Sequence, residues 1–307
     1  MTFDADGIVA RRRLRRRLAF WRVVAIVVIG VAVLGGIAIA TGVNPVGNRP
    51  HILRVVVSGI VVSDETILNG LDAAADDDSV SAVLVVIDTP GGTTTGGESI
   101  YRELRRINER DVPVVAVIRN VGASAGYMIA LSADRIYALE TSITGSIGVL
   151  LETAEVSGLL ERLGVTAETF RSGPLKGQPS PLSPISDQAR VATQGLVDDI
   201  YTWFMTLFAE RRGLTMDVAR DLADGRAYTG RQALALDLID AIGGEREALK
   251  WLTETHGIPA DTPIIELDRE DDPGTFFDLI TGLTKKTLLS ERLRLDGPIS
   301  VWHPAQN

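Results

Sequence analysis

Two short segments carry residue types that could perform covalent chemistry together. Gly122-Ala-Ser124-Ala-Gly-Tyr127 is a small-residue turn presenting a serine, and Arg171-Ser-Gly-Pro-Leu-Lys176-Gly presents a lysine. Only four of the chain's 31 basic residues are lysines: Lys176, Lys250, Lys285 and Lys286. A cation needed only for its charge is nearly always arginine here. A lysine among glycine, proline and leucine therefore points to what arginine cannot do, which is to lose its proton. A serine hydroxyl is a weak nucleophile until a base takes its proton. Only a neutral amine can be that base, and at a reference pKa near 10.4 about 0.04% of a lysine is neutral at pH 7. Burial among apolar groups disfavours the charged form and supplies the shift. Ser124 as nucleophile and Lys176 as base thus form a candidate pair. The histidines are His51, His256 and His303, so a histidine-based triad would rest on His256 or a peripheral residue. With no cysteine there is no disulfide and no thiolate metal site, and no cofactor is expected.

The elements around this pair must bring it to one end of a sheet. Ile52–Val62 reads as a strand, and the spacing of Ile67, Leu68, Leu71, Ala74 and Ala75 predicts a helix over 64–75. Ala82-Val-Leu-Val-Val-Ile87 is an unbroken apolar run, as a strand buried on both faces requires. It leads to Asp88-Thr-Pro-Gly-Gly92 and a helix from about 95 to 108. A third strand, Val114–Ile118, enters the serine turn and a helix through Leu131, and a short strand is expected at Ile136–Leu139. Strands alternating with amphipathic helices predict an α/β fold with largely parallel sheets. Sharp strand-to-helix turns are expected at Gly91 and Ser124, beyond the carboxyl ends of successive strands, where sites gather. Further on, 185–211 reads as a long helix, 228–244 as a short helix into a turn, and 276–289 as a helix. Asp88 reads as a turn or capping acid, because no cluster of carboxylates or histidines accompanies it as a metal would need.

Charge divides the chain. Residues 1–22 hold seven arginines against Asp4 and Asp6, and residues 23–43 carry no charge. As a helix rising about 1.5 Å per residue, the uncharged run spans roughly 30 Å, the thickness of a bilayer core. The arginines before it place the tail in the cytoplasm and the body across the membrane. A cleaved signal peptide is the competing reading, with Ala38-Ile-Ala40 as a small-x-small site inside the run. The body is acidic, which argues against a nucleic-acid partner. The expected organisation is a basic tail (1–22), a transmembrane anchor (23–43), a linker (44–51), a catalytic domain (52–267) and a C-terminal extension (268–307).

Over about residues 52–255, five segments in order resemble signal peptide peptidase A in its short, single-catalytic-domain form. They are Leu71–Gly92, the turn at Ser124, Thr144-Gly-Ser146-Ile-Gly-Val149, the lysine segment, and Tyr228-Thr-Gly-Arg-Gln-Ala233. The resemblance implies a Clp protease- or crotonase-like fold with one preceding transmembrane helix. It implies a Ser124–Lys176 pair with Ser146 hydrogen-bonding the lysine, and an oxyanion hole from the backbone N–H groups of Gly91 and Ala125, with Gly92 competing for the first. It implies a homo-oligomer in which neighbouring protomers share active sites, hydrophobic remnant signal peptides as substrates, and a bacterial inner membrane as the setting. Three departures stand out: Ala125 replaces a glycine and would narrow the substrate cleft, Met128 replaces a common tyrosine, and Asp237 occupies a position where a left-handed glycine is usual. The rival readings are a related peptidase acting on membrane proteins, a crotonase-like acyl-CoA enzyme and a catalytically silent oligomeric scaffold.

Overall fold

A computed structural model describes residues 49–267, the strand 299–301 and helical positions at 21, 22, 24–26 and 29. The apolar run 23–43 and the helix expected at 276–289 fall largely or wholly outside the described residues. Among the described residues, no helix is long and apolar enough to cross a membrane. The chain divides into a unit at 1–49 and a unit at 50–307.

The larger unit opens with strand β1 (His51–Val61), helix α1 (Glu65–Ala75), strand β2 (Val80–Thr93) and helix α2 (Thr94–Asn108). Strand β3 (Val114–Ala123), helix α3 (Ala125–Ala130), β4 (Arg135–Ala138) and β5 (Ile143–Gly145) follow. Then come α4 (Ser157–Arg162), α5 (Asp187–Arg212), α6 (Met216–Leu222), β6 (Ala227–Thr229) and α7 (Gly230–Ala235). The last elements are β7 (Ala241–Ile242), α8 (Glu245–His256), β8 (Ile264–Glu266) and β9 (Ile299–Val301). The strands form one mixed sheet with the main order β6-β5-β3-β2-β1-β8. Pairing is parallel except between β5 and β6 and between β2 and β9.

The apolar run in β2 is buried on both faces because successive side chains point to opposite sides of a strand. Val83, Val85 and Ile87 join Leu71 of α1 and Ile100 and Leu104 of α2 in one core. Leu84 and Val86 face the other way, with Ala248 and Leu252 of α8. Each such side chain, fully buried, contributes about 1.5–3 kcal/mol relative to exposure.

Two features of the sheet create the site. First, β3 forks: Val115–Ile118 pair with β4, whereas Val121–Ala123 pair with β5. Second, β2 does not turn away at Asp88 as expected. It stays extended through Pro90, Gly91 and Gly92, with a register shift that skips Gly59 of β1, and Gly91 and Gly92 then pair with Ile60 and Val61. A Cβ on Gly92 would collide with the Val61 carbonyl oxygen, so only glycine lets the strand lie so close. The helix begins after this stretch, with the Thr93 hydroxyl accepting from Gly96 N–H. Past the end of the β2–β3 pairing, Gly91–Thr93 pair antiparallel with β9.

Helix α3 is buried along its whole length. The Tyr127 hydroxyl donates to the Leu238 carbonyl at 2.7 Å, and its ring meets Phe208 of α5 edge-on. Burial pushes this phenol above its ordinary pKa, which keeps it a donor. Arg211 of α5 donates to the carbonyls of Leu131 and Ala133, closing the end of α3. Tyr127→Phe would leave the Leu238 carbonyl unpaired in the core, and chemical denaturation of the purified protein should show a loss of about 1–3 kcal/mol.

Candidate active site

Ser124 stands between β3 and α3, with φ 56° and ψ −116°. A non-glycine residue with positive φ is uncommon, and such strain gathers at functional positions at a cost of about 1–3 kcal/mol. Glycines two residues to either side allow the sharp junction. A Cβ on Gly122 would fall 2.8 Å from Cγ2 of Ile118, and one on Gly126 would fall 2.6 Å from Cγ2 of Thr89. The Ser124 N–H donates to the Gly145 carbonyl at 2.9 Å, and its own carbonyl accepts from Met128 N–H. Serine at a helix start normally spends its side chain on capping, as Ser186 does on α5. The Ser124 side chain makes no such bond, although only 1% of the residue is exposed. Its hydroxyl is therefore not committed to holding the helix.

Ser146 is brought beside it. Ala123 pairs with Gly145, so both serines directly follow paired strand ends. Ser146 is also left-handed (φ 49°) and nearly buried, and its N–H donates to the Arg226 carbonyl. The Thr144 hydroxyl donates to the Gly122 carbonyl at 2.8 Å, adding a side-chain tie between β3 and β5.

Of the two expected oxyanion donors, Ala125 N–H opens α3, and a first-turn N–H has no partner within its own helix. Gly91 has φ 117°, and its N–H donates to Oγ1 of Thr89 at 3.0 Å. The methyl group of Ala125 does not narrow a cleft. Ala125 is fully buried, and its Cβ faces Gly97 of α2, where an added Cβ would lie 3.1 Å away. Asp237 is left-handed at φ 57°, in keeping with the glycine it replaces. Asp88 accepts from Asn120 Nδ2 at 2.7 Å and from Val121 N–H at 3.2 Å, which makes it the acid that ties the ends of β2 and β3.

Lys176 is not gathered into this cluster within one chain. It is exposed, in a turn where its N–H donates to the Gly173 carbonyl, and no hydrogen bond or ion pair joins it to Ser124. No residue from 151 to 188 is buried, and Leu159, Leu163, Val165 and Phe170 are exposed there, Phe170 by 93%. The first half of α5 is similar, with Val191 73% and Leu196 58% exposed, whereas Phe204 and Phe208 of its second half enter the core. The residue that sequence reasoning passed over is Thr89. Its signal was a hydroxyl two positions ahead of a glycine whose N–H it can accept.

A serine at a strained strand-to-helix junction, beside a strand end that accepts an extended segment, is the arrangement of an α/β serine hydrolase. A model of peptidase family S49 matches residues 106–258. A putative protease of Synechocystis is 36% identical over 237 residues, covering 76% of this chain and 84% of the relative. A putative signal peptide peptidase SppA of Enterococcus faecium is 36% identical over 202 residues, covering 66% of this chain and 58% of the relative. The chloroplastic serine protease SPPA of Arabidopsis thaliana is 28% identical over 241 residues, covering 76% of this chain and 35% of the relative. The chain belongs to peptidase family S49, with signal peptide peptidase A and its relatives, and is a serine peptidase.

Because Gly92 lies against the β1 backbone, Gly92→Ala must push β2 away from Val61. Peptide hydrolysis should fall by more than about tenfold, since misplacing reacting groups by 1 Å can cost 10²-fold. Gly70→Ala, which meets only the movable end of the Leu267 side chain, should leave the rate within about twofold in the same assay.

Proposed function

We propose that this chain is a membrane-anchored endopeptidase in which Ser124 attacks the substrate carbonyl and Lys176 of a neighbouring protomer is the general base. The observation that carries the reading is the strained, uncommitted Ser124 beside Ser146. A neutral Lys176 amine takes the proton from the serine hydroxyl as Oγ bonds to the carbonyl carbon. It then returns the proton to the leaving amine as the peptide bond breaks. Water, activated by the same amine, hydrolyses the acyl-serine and frees the hydroxyl. Ser146 orients the amine. The oxyanion is held by backbone N–H groups at Ala125 and at the Gly91–Gly92 stretch, in the manner of other acyl-transfer sites.

The exposed apolar surface around Lys176 supports the assignment of the base. A lysine needs desolvation to act as a base, and burial of its segment against a second copy would supply it. The apolar side chains exposed over 151–182 and on the first half of α5 supply the surface for such burial. The substrate is an extended peptide pairing with Gly91–Thr93, a stretch that already accepts a strand from β9. Remnant signal peptides suit an enzyme tethered by residues 23–43, and the printed name of the Enterococcus relative favours that substrate class. Positive charge before the tether supports a catalytic domain on the extracytoplasmic side of a bacterial inner membrane. Nucleic acid is not a partner for a body this acidic.

The test is cleavage of a hydrophobic fluorogenic peptide by the purified oligomer. Ser124→Ala and Lys176→Arg should each lose at least about 10³-fold in kcat, and oligomers mixed from the two variants should regain activity. Inactivity of well-mixed oligomers would confine the site to one chain. Activity retained in Lys176→Arg would hand the base to another residue. A wild type that neither cleaves nor reacts with a fluorophosphonate would favour the scaffold. Deleting 268–307, which removes β9 from the Gly91–Thr93 stretch, should lower KM for the peptide and leave kcat within about twofold.

A further inference from the structure

We propose that Thr89 is the positioning residue of the oxyanion hole, one side chain setting the distance between its two halves. The inference rests on the reading of Ser124 as nucleophile and of the Ala125 and 91–92 peptide groups as donors. Thr89 is fully buried. Its hydroxyl donates to the Gly59 carbonyl at 2.5 Å and accepts from Gly91 N–H at 3.0 Å, with the Gly91 carbonyl at 3.2 Å. Its methyl group lies where a side chain on Gly126 would stand, one residue past Ala125. Its partner in β3 is Gly122, two residues before Ser124.

All four of these neighbours are glycines. Gly59 (φ 72°) and Gly91 (φ 117°) have positive φ, and the other two sit where a Cβ would clash. Glycine permits such a junction but does little to hold it, because it has the widest backbone freedom of any residue. Thr89 supplies the missing order from the centre. The hydroxyl fixes the Gly91 peptide group against β1, and the methyl group fixes the start of α3, which carries Ala125 N–H.

The hydroxyl also gives the Gly91 N–H a partner while the site is empty, where an unpaired buried donor would be costly. An oxyanion is the stronger acceptor, since charge-assisted bonds are about twice as strong as neutral ones. It can take or share that donor while Thr89 remains tied to the Gly59 carbonyl. Threonine suits this role in both parts: valine keeps the wedge and loses the tether, and serine keeps the tether and loses the wedge.

The experiment compares Thr89→Val and Thr89→Ser in the full-length oligomer, with steady-state peptide cleavage and binding of a peptide boronate that mimics the tetrahedral adduct. Thr89→Val should lower kcat by about 10- to 100-fold, a part of what an oxyanion donor is worth. KM should stay within about threefold, and boronate affinity should fall by a factor similar to that in kcat. Thr89→Ser, which keeps the tether and loses the wedge, should lower kcat by less than Thr89→Val, about three- to fivefold, while melting at a lower temperature. Wild-type kcat in Thr89→Val, or a loss in Thr89→Ser as large as that in Thr89→Val, would overturn the proposal; the first result would mean that Thr89 only fills space. If Thr89→Val does not assemble, Thr89→Ser against Thr89→Ala decides the matter, equal activity in those two overturning it. The nucleophile assignment fails separately, by activity retained in Ser124→Ala, whatever the Thr89 variants do.

Discussion

A serine held at φ 56° is in a conformation the chain would abandon if its surroundings allowed. The surroundings are therefore the working part of this structure. The Ser124 N–H is claimed by Gly145 across the fork of β3, and its carbonyl starts α3. That helix cannot swing, because Tyr127 is bonded to Leu238, Arg211 closes its end, and Ala125 is packed against Gly97. The long helix α5 supplies both Arg211 and the Phe208 that meets Tyr127. Relaxing the junction would mean opening a core that also holds Leu71, Ile87, Ile100 and Leu104. Loss of packing there costs several kcal/mol per large side chain, more than the strain it would relieve.

The same economy explains the glycines. Around the junction the backbones of β1, β2, β3 and α3 approach too closely for side chains, and Gly92, Gly122 and Gly126 mark those contacts. Close approach lets peptide groups serve as donors where no side chain could reach. It also leaves the region short of side-chain packing, so the few buried hydroxyls matter beyond their size. Thr89, Thr144 and Ser142 each tie a carbonyl or N–H of one strand end to another. Their bonds are short in reach and directional, which suits holding a geometry better than adding stability.

The chain is unevenly finished. Its sheet and inner helices are packed on both faces, while residues 151–188 bury nothing and half of α5 stands clear of the core. A serine that is built in and a lysine that is left out fit an enzyme whose site is completed by assembly.

The local signals were legible in the sequence because they depend on neighbours along the chain. The apolar run of β2 declared a strand buried on both faces, Pro113 and the glycines bracketed β3, and the small residues around Ser124 announced a tight junction. The rarity of lysine singled out Lys176 without any structure. Other features depended on groups far apart in the chain. Pairing with Ile60 and Val61 kept Pro90–Thr93 extended where a sharp turn was expected. The methyl group of Ala125 faced α2 because Gly97 left room for it. The strands β5 and β6 are three residues long and are defined by their partners, so no periodicity could reveal them. The α8 helix, overlooked as an element, fills the second face of the sheet. Thr89 had a local signal in its spacing from Gly91, but nothing singled it out, because its other neighbours, Gly59 and Gly126, come to it only on folding. Residue types and local spacing thus determined which chemistry this protein could carry. The long-range packing of strand ends decided which peptide groups and hydroxyls stand around the serine, because hydrogen bonds act over about 3 Å and only the tertiary fold sets distances that short between residues so far apart in the chain.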